Sequence, residues 1–177
     1  MFENPFLFKY MCDEFADGNH QYPPIRKMQK ADDLFRKVWL KGNFYRWWCR
    51  LLGRKYHLLH LLDQKLDHKS VCRHSCGIMP VPLNQIKGSE NRSADFDARF
   101  YPLKSEDQER WVEIALLKLK NANFEAVNLI QIEDVYFVRD GHHRVSVARA
   151  LGEQYIDAEV TVWQTNNRLE EAHRLPG

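Results

Sequence analysis

The chain has 177 residues, with 26 lysines and arginines against 24 acids, a formal charge of +2, and 44% apolar and 12% aromatic residues. That length suits one domain with its own core, and the near-balance of charge argues neither for nor against a nucleic-acid partner. No apolar run approaches the roughly 20 residues of a membrane helix, and the opening MFENPFLFKYMCDEF brings acids early without a basic start, so neither a membrane partner nor a secretory leader is expected.

Residues 1–75 read as a helical extension. Residues 4–16 form a short apolar and aromatic stretch, closed off by Gly18-Asn19 and Pro23-Pro24. Its aromatics are candidates for self-association into a homo-oligomer, or for a core. A second helix is predicted over 30–41, with Leu34, Phe35, Val38 and Trp39 on its buried side, and Gly42-Asn43 interrupts it. A longer helix is expected over 44–68, where Phe44, Trp47, Trp48, Leu51, Leu52, Leu58, Leu59, Leu62 and Leu66 recur at helical steps. Arg46, Arg50 and Arg54 repeat every fourth residue and so form a basic ridge. Arginines beside tryptophans suit phosphates and bases, so DNA is one candidate partner. An ordinary solvated face, with arginine stems packed on the rings, is the other reading.

The linker carries Cys72-Arg73-His74-Ser75-Cys76, with His57, His60 and His68 upstream. Cysteines and histidines suit zinc, but a structural site wants four ligands in short paired spacings. The alternative is reduced thiols and solvated histidines. The four cysteines (Cys12, Cys49, Cys72, Cys76) are too sparse for a disulfide framework, which points to a cytoplasmic protein.

Residues 77–165 read as mixed α/β. Ile78 to Ile86, with Pro80 and Pro82, suggests an edge strand. The polar loop IKGSENRSADFDARFYPL follows. Ser105-Glu106-Asp107 starts a helix that Trp111, Ile114, Ala115, Leu117 and Leu119 carry to about residue 121. Val127 to Ile132 and Val135 to Val138 make a hairpin around Glu133-Asp134. A helix is predicted from His143 to Leu151, ended by Gly152, and a last strand from Ile156 to Trp163. The polar tail 166–177 is a short helix or a frayed end.

Between the hairpin and that helix stands YFVRDGHHRVSVARALG. The first amides of a helix lack internal partners and carry partial positive charge. Gly141 lets a ligand come close. His142, His143 and Arg144 add donors, and Arg139 and Ser146 are near enough to contribute, so a phosphate cradle is one reading. Asp140 either caps the helix through its backbone amides or holds a divalent cation shared with phosphates. The other reading is a capped helix whose histidines pack or face water.

The segment from Pro80 to Val162 resembles the ParB/sulfiredoxin superfamily, the ParB-like nuclease domain. The order of its elements matches, and Gly141-His142-His143-Arg144 is similar to that family's phosphate-binding turn. DGHHRVSVARALG, VPLNQIKGSENR, DFDARFYPL and RWVEIA look most like a group of small bacterial proteins with a helical segment ahead of the domain. The resemblance implies an α+β fold: a small mixed sheet with packed helices, preceded by an all-helical N-terminal segment. It also implies ATP or CTP with Mg2+ as ligand, and a hydrolase, phosphotransferase or nuclease activity. In sulfiredoxins a cysteine stands at the position of His142, so thiol chemistry is not expected here. Chromosome-partition relatives carry Glu-Arg-Arg after the glycine and continue into a helix-turn-helix, which is not expected either. By analogy the loop Gly88-Ser89-Glu90-Asn91-Arg92 faces the turn, with Glu90 as general base or metal ligand and Arg92 neutralising phosphate charge. Asp95 and Asp97 complete a magnesium site or act as turn residues.

These residues lead to a nucleotide-binding protein that hydrolyses a nucleoside triphosphate or transfers its phosphoryl group. In it Gly141, His142, His143, Arg144, Arg92 and Ser146 hold phosphates, Glu90, His142 and His143 are catalytic, and Asp140 is the metal candidate. The alternatives are a DNA-binding or nucleotide-sensing module using Arg46, Arg50 and Arg54, or a nuclease.

Overall fold

A computed structural model describes residues 25–61, 71–120 and 125–165. The apolar and aromatic stretch at 4–16, the residues of the 44–68 helix beyond 61, and the tail 166–177 lie outside them. Helix α1 is Ile25–Leu51, α2 is Gln108–Leu119 and α3 is His142–Ala150. The strands are β1 (Leu59–His60), β2 (Val71–Pro82), β3 (Ile86–Ser89), β4 (Val127–Ile132), β5 (Val135–Asp140) and β6 (Tyr155–Thr165). They form one mixed sheet in the order β1-β3-β5-β4-β6-β2. The architecture is therefore α+β, with a helical segment ahead of the sheet.

Topology brings three strand ends together. β1 and β3 run parallel, as do β3 and β5, with Ser89 opposite Val138. β4 returns antiparallel to β5 through a turn in which Glu133 has a φ of 54°. β6 lies parallel to β4, and β2 closes the edge antiparallel to β6. Pro80 and Pro82 are compatible with that outer place, because an edge strand needs fewer of its amides. β2 also reaches back to Val71, with a bulge between Ser75 and Gly77.

The main core lies between one face of the sheet and α3, where Val81, Ile86, Leu129, Val138 and Val160 meet Val145 and Ala148. Phe96 and Phe100, from the loop after β3, are fully buried in it. A second core holds the helices together. Met28, Ala31, Phe35 and Val38 of α1 pack on Trp111, Val112, Ala115 and Leu116 of α2, with Val147 of α3. Leu117, part of the predicted pattern of α2, is exposed instead.

Three expectations for the N-terminal half are corrected. α1 runs unbroken through Gly42, where a Cβ would lie 2.9 Å from the Cβ of Tyr101. The glycine marks a close approach between helix and loop, not a break. The helix then ends at Leu51, far short of residue 68, because Gly53 takes a φ of 63° and its neighbours close the last turn. Finally, the sheet begins within the stretch read as helical: β1 lies at residues 59–60, and a boundary at 75–77 falls inside β2.

Candidate functional site

The chain leaves β5 at Asp140, turns at Gly141 and enters α3 at His142. Gly141 has φ 93° and ψ 25°, a left-handed conformation that a side chain would strain. A Cβ there would also sit 2.6 Å from Val127. The first helical bond runs from the amide of Val145 to the carbonyl of Gly141 at 3.0 Å. The amides of His142, His143 and Arg144 therefore have no partner among the described residues, and no side chain caps them. They stand at the carboxyl end of β5, beside the carboxyl end of its parallel neighbour β3. In open sheets such carboxyl ends are where ligands settle.

Asp140 does not cap the helix. Its Oδ2 accepts from Nη2 of Arg144 at 2.7 Å, one turn on. Arg144 also donates to the carbonyls of Glu125 (2.6 Å) and Ala126 (3.2 Å), so its guanidinium ties the approach to β4 onto α3.

Both histidines point inward, each 4% exposed. Nε2 of His142 lies 2.7 Å from the hydroxyl of Ser89, and its ring stacks on Phe96 at 6.0 Å. His143 meets Phe96 edge-on at 5.2 Å. Its Nε2 lies 3.4 Å from Nη1 of Arg92 and 3.5 Å from Oδ1 of Asp107. Nε2 accepts from the guanidinium in one tautomer and donates to the carboxylate in the other, and the remaining ring nitrogen is Nδ1. That nitrogen is buried without a partner, as is Oδ2 of Asp107. Burial, with Arg92 and the other histidine nearby, lowers the pKa of His142 to about 4. Burial also lowers His143 to about 4: Arg92 acts in the same direction, and Asp107 offsets part of the effect. Near neutral pH both imidazoles are uncharged and packed inside.

Ser146 is likewise occupied. It donates to the carbonyl of Phe100 at 2.6 Å and accepts from Nε1 of Trp111 at 2.8 Å, joining α3, the loop and α2.

The loop after β3 reaches the same end of the sheet. Glu90 pairs with Nε of Arg139 at 3.0 Å, and this pair is partly exposed, 22% for the acid and 42% for the base. Arg92 is held by Asp95 at 2.5 Å and Asp107 at 3.5 Å, and its guanidinium lies over Phe96. Burial alone would raise the Asp95 carboxyl, but hydrogen bonds from Lys104 and Arg92 outweigh it and hold it below the usual range. Asp97 is fully buried. Its Oδ1 accepts from the amides of Arg99 (2.9 Å) and Tyr101 (3.0 Å), and its Oδ2 faces Arg46 at 3.4 Å. Desolvation raises its pKa, and those three partners offset part of the rise. Asp97 thus spends its carboxylate on the local backbone and on Arg46.

Other candidates are kept apart by the fold. Arg46 is buried, Arg50 lies against Tyr56, and Arg54 stands beyond the helix end, so they form no common ridge. Cys72, His74 and Cys76 alternate along an exposed strand, and His57 and His60 lie off any helix. Among the described residues no group of histidine, cysteine and acid side chains is placed to hold a metal ion.

Arg139, near enough to the turn in sequence to contribute, is half-exposed beside it. Sequence reasoning missed a cavity of 540 Å3 between α2, α3 and the start of β6, lined by Lys118, Glu125, Arg144, Glu153, Tyr155 and Asp157 among others. Only chain crossings assemble it, so no local pattern announces it.

No protein-family model matches the chain, and no curated protein matches it. Among solved structures, the crystal structure of sulfiredoxin from Arabidopsis thaliana is distantly similar, at 20% sequence identity and a TM-score of 0.39. The match covers 55% of this chain and 98% of that one.

Proposed function

We propose that this chain binds the phosphates of a nucleotide, ATP or CTP, at the mouth of α3, and hydrolyses the nucleoside triphosphate or transfers its terminal phosphoryl group. The observation that supports this reading is the first turn of α3, where three successive amides lack a partner among the described residues. An anion at that mouth meets aligned donors and the positive end of the helix. Arg139 adds a partly exposed guanidinium, and the cavity bordered by Arg144 has the volume of a small-molecule site. The nucleoside would lie there, against Tyr155 and the acids Glu153 and Asp157.

Glu90 is the candidate base. A partly exposed ion pair is weak, so a phosphate can draw Arg139 away from it. The carboxylate is then free to take a proton from an attacking water or hydroxyl. His142 and His143 keep their place in the site as supports of the turn. Magnesium commonly reaches a nucleotide through one or two carboxylates plus phosphates. Asp140, the acid adjoining the turn, stands in no group of three or more ligand side chains among the described residues, so the donor set does not fit a resident ion and no step is assigned to one. The likeness to small bacterial proteins with a DGHHR turn rests on that motif and its flanking segments. The DNA reading loses its ridge with Arg46 inside the domain.

Calorimetry and amide resonances of the full chain, titrated with ATP and with CTP, test the proposal. Binding should shift the amides of His142, His143 and Arg144, and Arg139→Ala should weaken it about tenfold. Glu90→Gln should bind but not turn over. If neither nucleotide moves those amides, or Arg139→Ala changes nothing, the reading fails.

A further inference from the structure

The C-terminal half of α1 has two apolar faces. One, with Phe35, Val38 and Cys49, is buried against the domain. The other carries Leu40, Phe44, Trp47, Trp48 and Leu51, between 46% and 67% exposed, and Leu52 continues it past the helix end. Steps of three and four residues align these side chains in one stripe. The three aromatic rings contact one another, with centroids 6.0 to 6.3 Å apart. Aromatic side chains offer about 150–250 Å2 each. Three of them half exposed, with three leucines, reach the upper end of the about 300–600 Å2 that a monomer's largest patch usually shows.

Along the segment that carries the stripe, charge has one sign. Residues 36–55 contain seven lysines and arginines and no aspartate or glutamate. Arg46 is buried and Arg36 pairs with Asp32, which leaves Lys37, Lys41, Arg50, Arg54 and Lys55 exposed around the stripe. Among the described residues no helix is long and apolar enough to cross a membrane. The helix is also fixed from behind, by Arg46 on Asp97 and by the close contact of Gly42 with Tyr101.

We propose that this stripe is a docking surface for an anionic lipid bilayer. The helix lies along the interface, with Phe44, Trp47, Trp48 and Leu51 at the boundary of headgroups and acyl chains. The cations meet the headgroups. A helix with tryptophan, phenylalanine and leucine on one side and lysine and arginine beside them has the composition of such an interfacial element. Two observations set the bilayer above other occupants. The rings crowd one another among leucines on the outside of a single helix, whereas single-stranded nucleic acid needs separated ring faces along a basic groove. A second copy of segment 36–55 would bring the same cations and no acid of its own, so charge opposes a symmetric pairing of the two stripes.

The test is cosedimentation of the full chain with vesicles of phosphatidylcholine alone and of phosphatidylcholine with phosphatidylserine. Tryptophan emission is followed in parallel. Binding should require phosphatidylserine, fall at high salt and shift the emission to the blue. Trp47→Ser with Trp48→Ser should abolish it, and Lys41→Glu with Arg50→Glu should weaken it at least about tenfold. All these side chains are exposed, so folding, checked by circular dichroism, should be retained. Absence of binding to anionic vesicles, or binding indifferent to both variants, overturns the proposal. So does concentration-dependent dimerisation, or retention of single-stranded DNA without vesicle binding, lost in the tryptophan variant.

Discussion

The hydroxyl of Ser89 stands 2.7 Å from Nε2 of His142 in the interior, joining the end of β3 to the first turn of α3. The same oxygen accepts the amide of Arg92 at 2.8 Å and shares one hydrogen bond with the imidazole, its direction set by the ring's tautomer. Ser89→Ala leaves Nε2 and that amide without partners. We expect a loss of about 1–3 kcal/mol, read as a lower urea midpoint with an unchanged slope. Amide shifts of residues 141–144 should move with it, because the turn loses its support.

Stability should fall as pH drops from about 6.5 to about 4. Both histidines are depressed to about 4 in the folded chain, while an unfolded histidine titrates near 6.5. Between those values the unfolded chain binds more protons than the native one, so lowering the pH favours unfolding. Above pH 6.5 the contribution is fully present, and it is lost on descent through the window. Each histidine is worth on the order of 3 kcal/mol across it, less whatever the two share as neighbours. Urea unfolding at pH 7 and pH 5 measures the fall. Imidazole resonances that titrate near 6.5 in the folded protein would refute the burial that causes it.

The three arginines of the expected ridge should behave unequally. Arg46→Ala leaves the buried carboxylate of Asp97 without its guanidinium, which should cost about 3 kcal/mol. Arg50→Ala and Arg54→Ala alter exposed side chains and should stay within about 0.5 kcal/mol. Thermal melts of the three variants decide it, and equal effects would place Arg46 on the surface.

Gly42→Ala reverses a rule of helix chemistry. In an exposed helix interior the change should stabilise by about 1 kcal/mol. Here the new methyl would meet Arg46 at 2.8 Å and the Cβ of Tyr101 at 2.9 Å, so α1 must shift away from the loop. We expect a net loss of about 1–3 kcal/mol, typical of overpacking. A gain in melting temperature would show that the contact is slack.

The sequence by itself determined the C-terminal half. The hairpin around Glu133-Asp134, the helix after Gly141 and the last strand all follow from turn residues and short-range periodicity, which act over a few neighbours. It also located the turn whose amides lie open. Only the tertiary structure decided what those side chains do there. Ser89 and Phe96, distant in the chain, draw His142 and His143 inside, Trp111 claims Ser146, and Asp97 claims Arg46. The same holds for α1, where a glycine read as a break is a contact with Tyr101 and a periodic aromatic stripe faces away from the core. Periodicity reports which residues share a side, but the direction of that side is fixed by what packs against it, and burial then sets the charge of each titratable group.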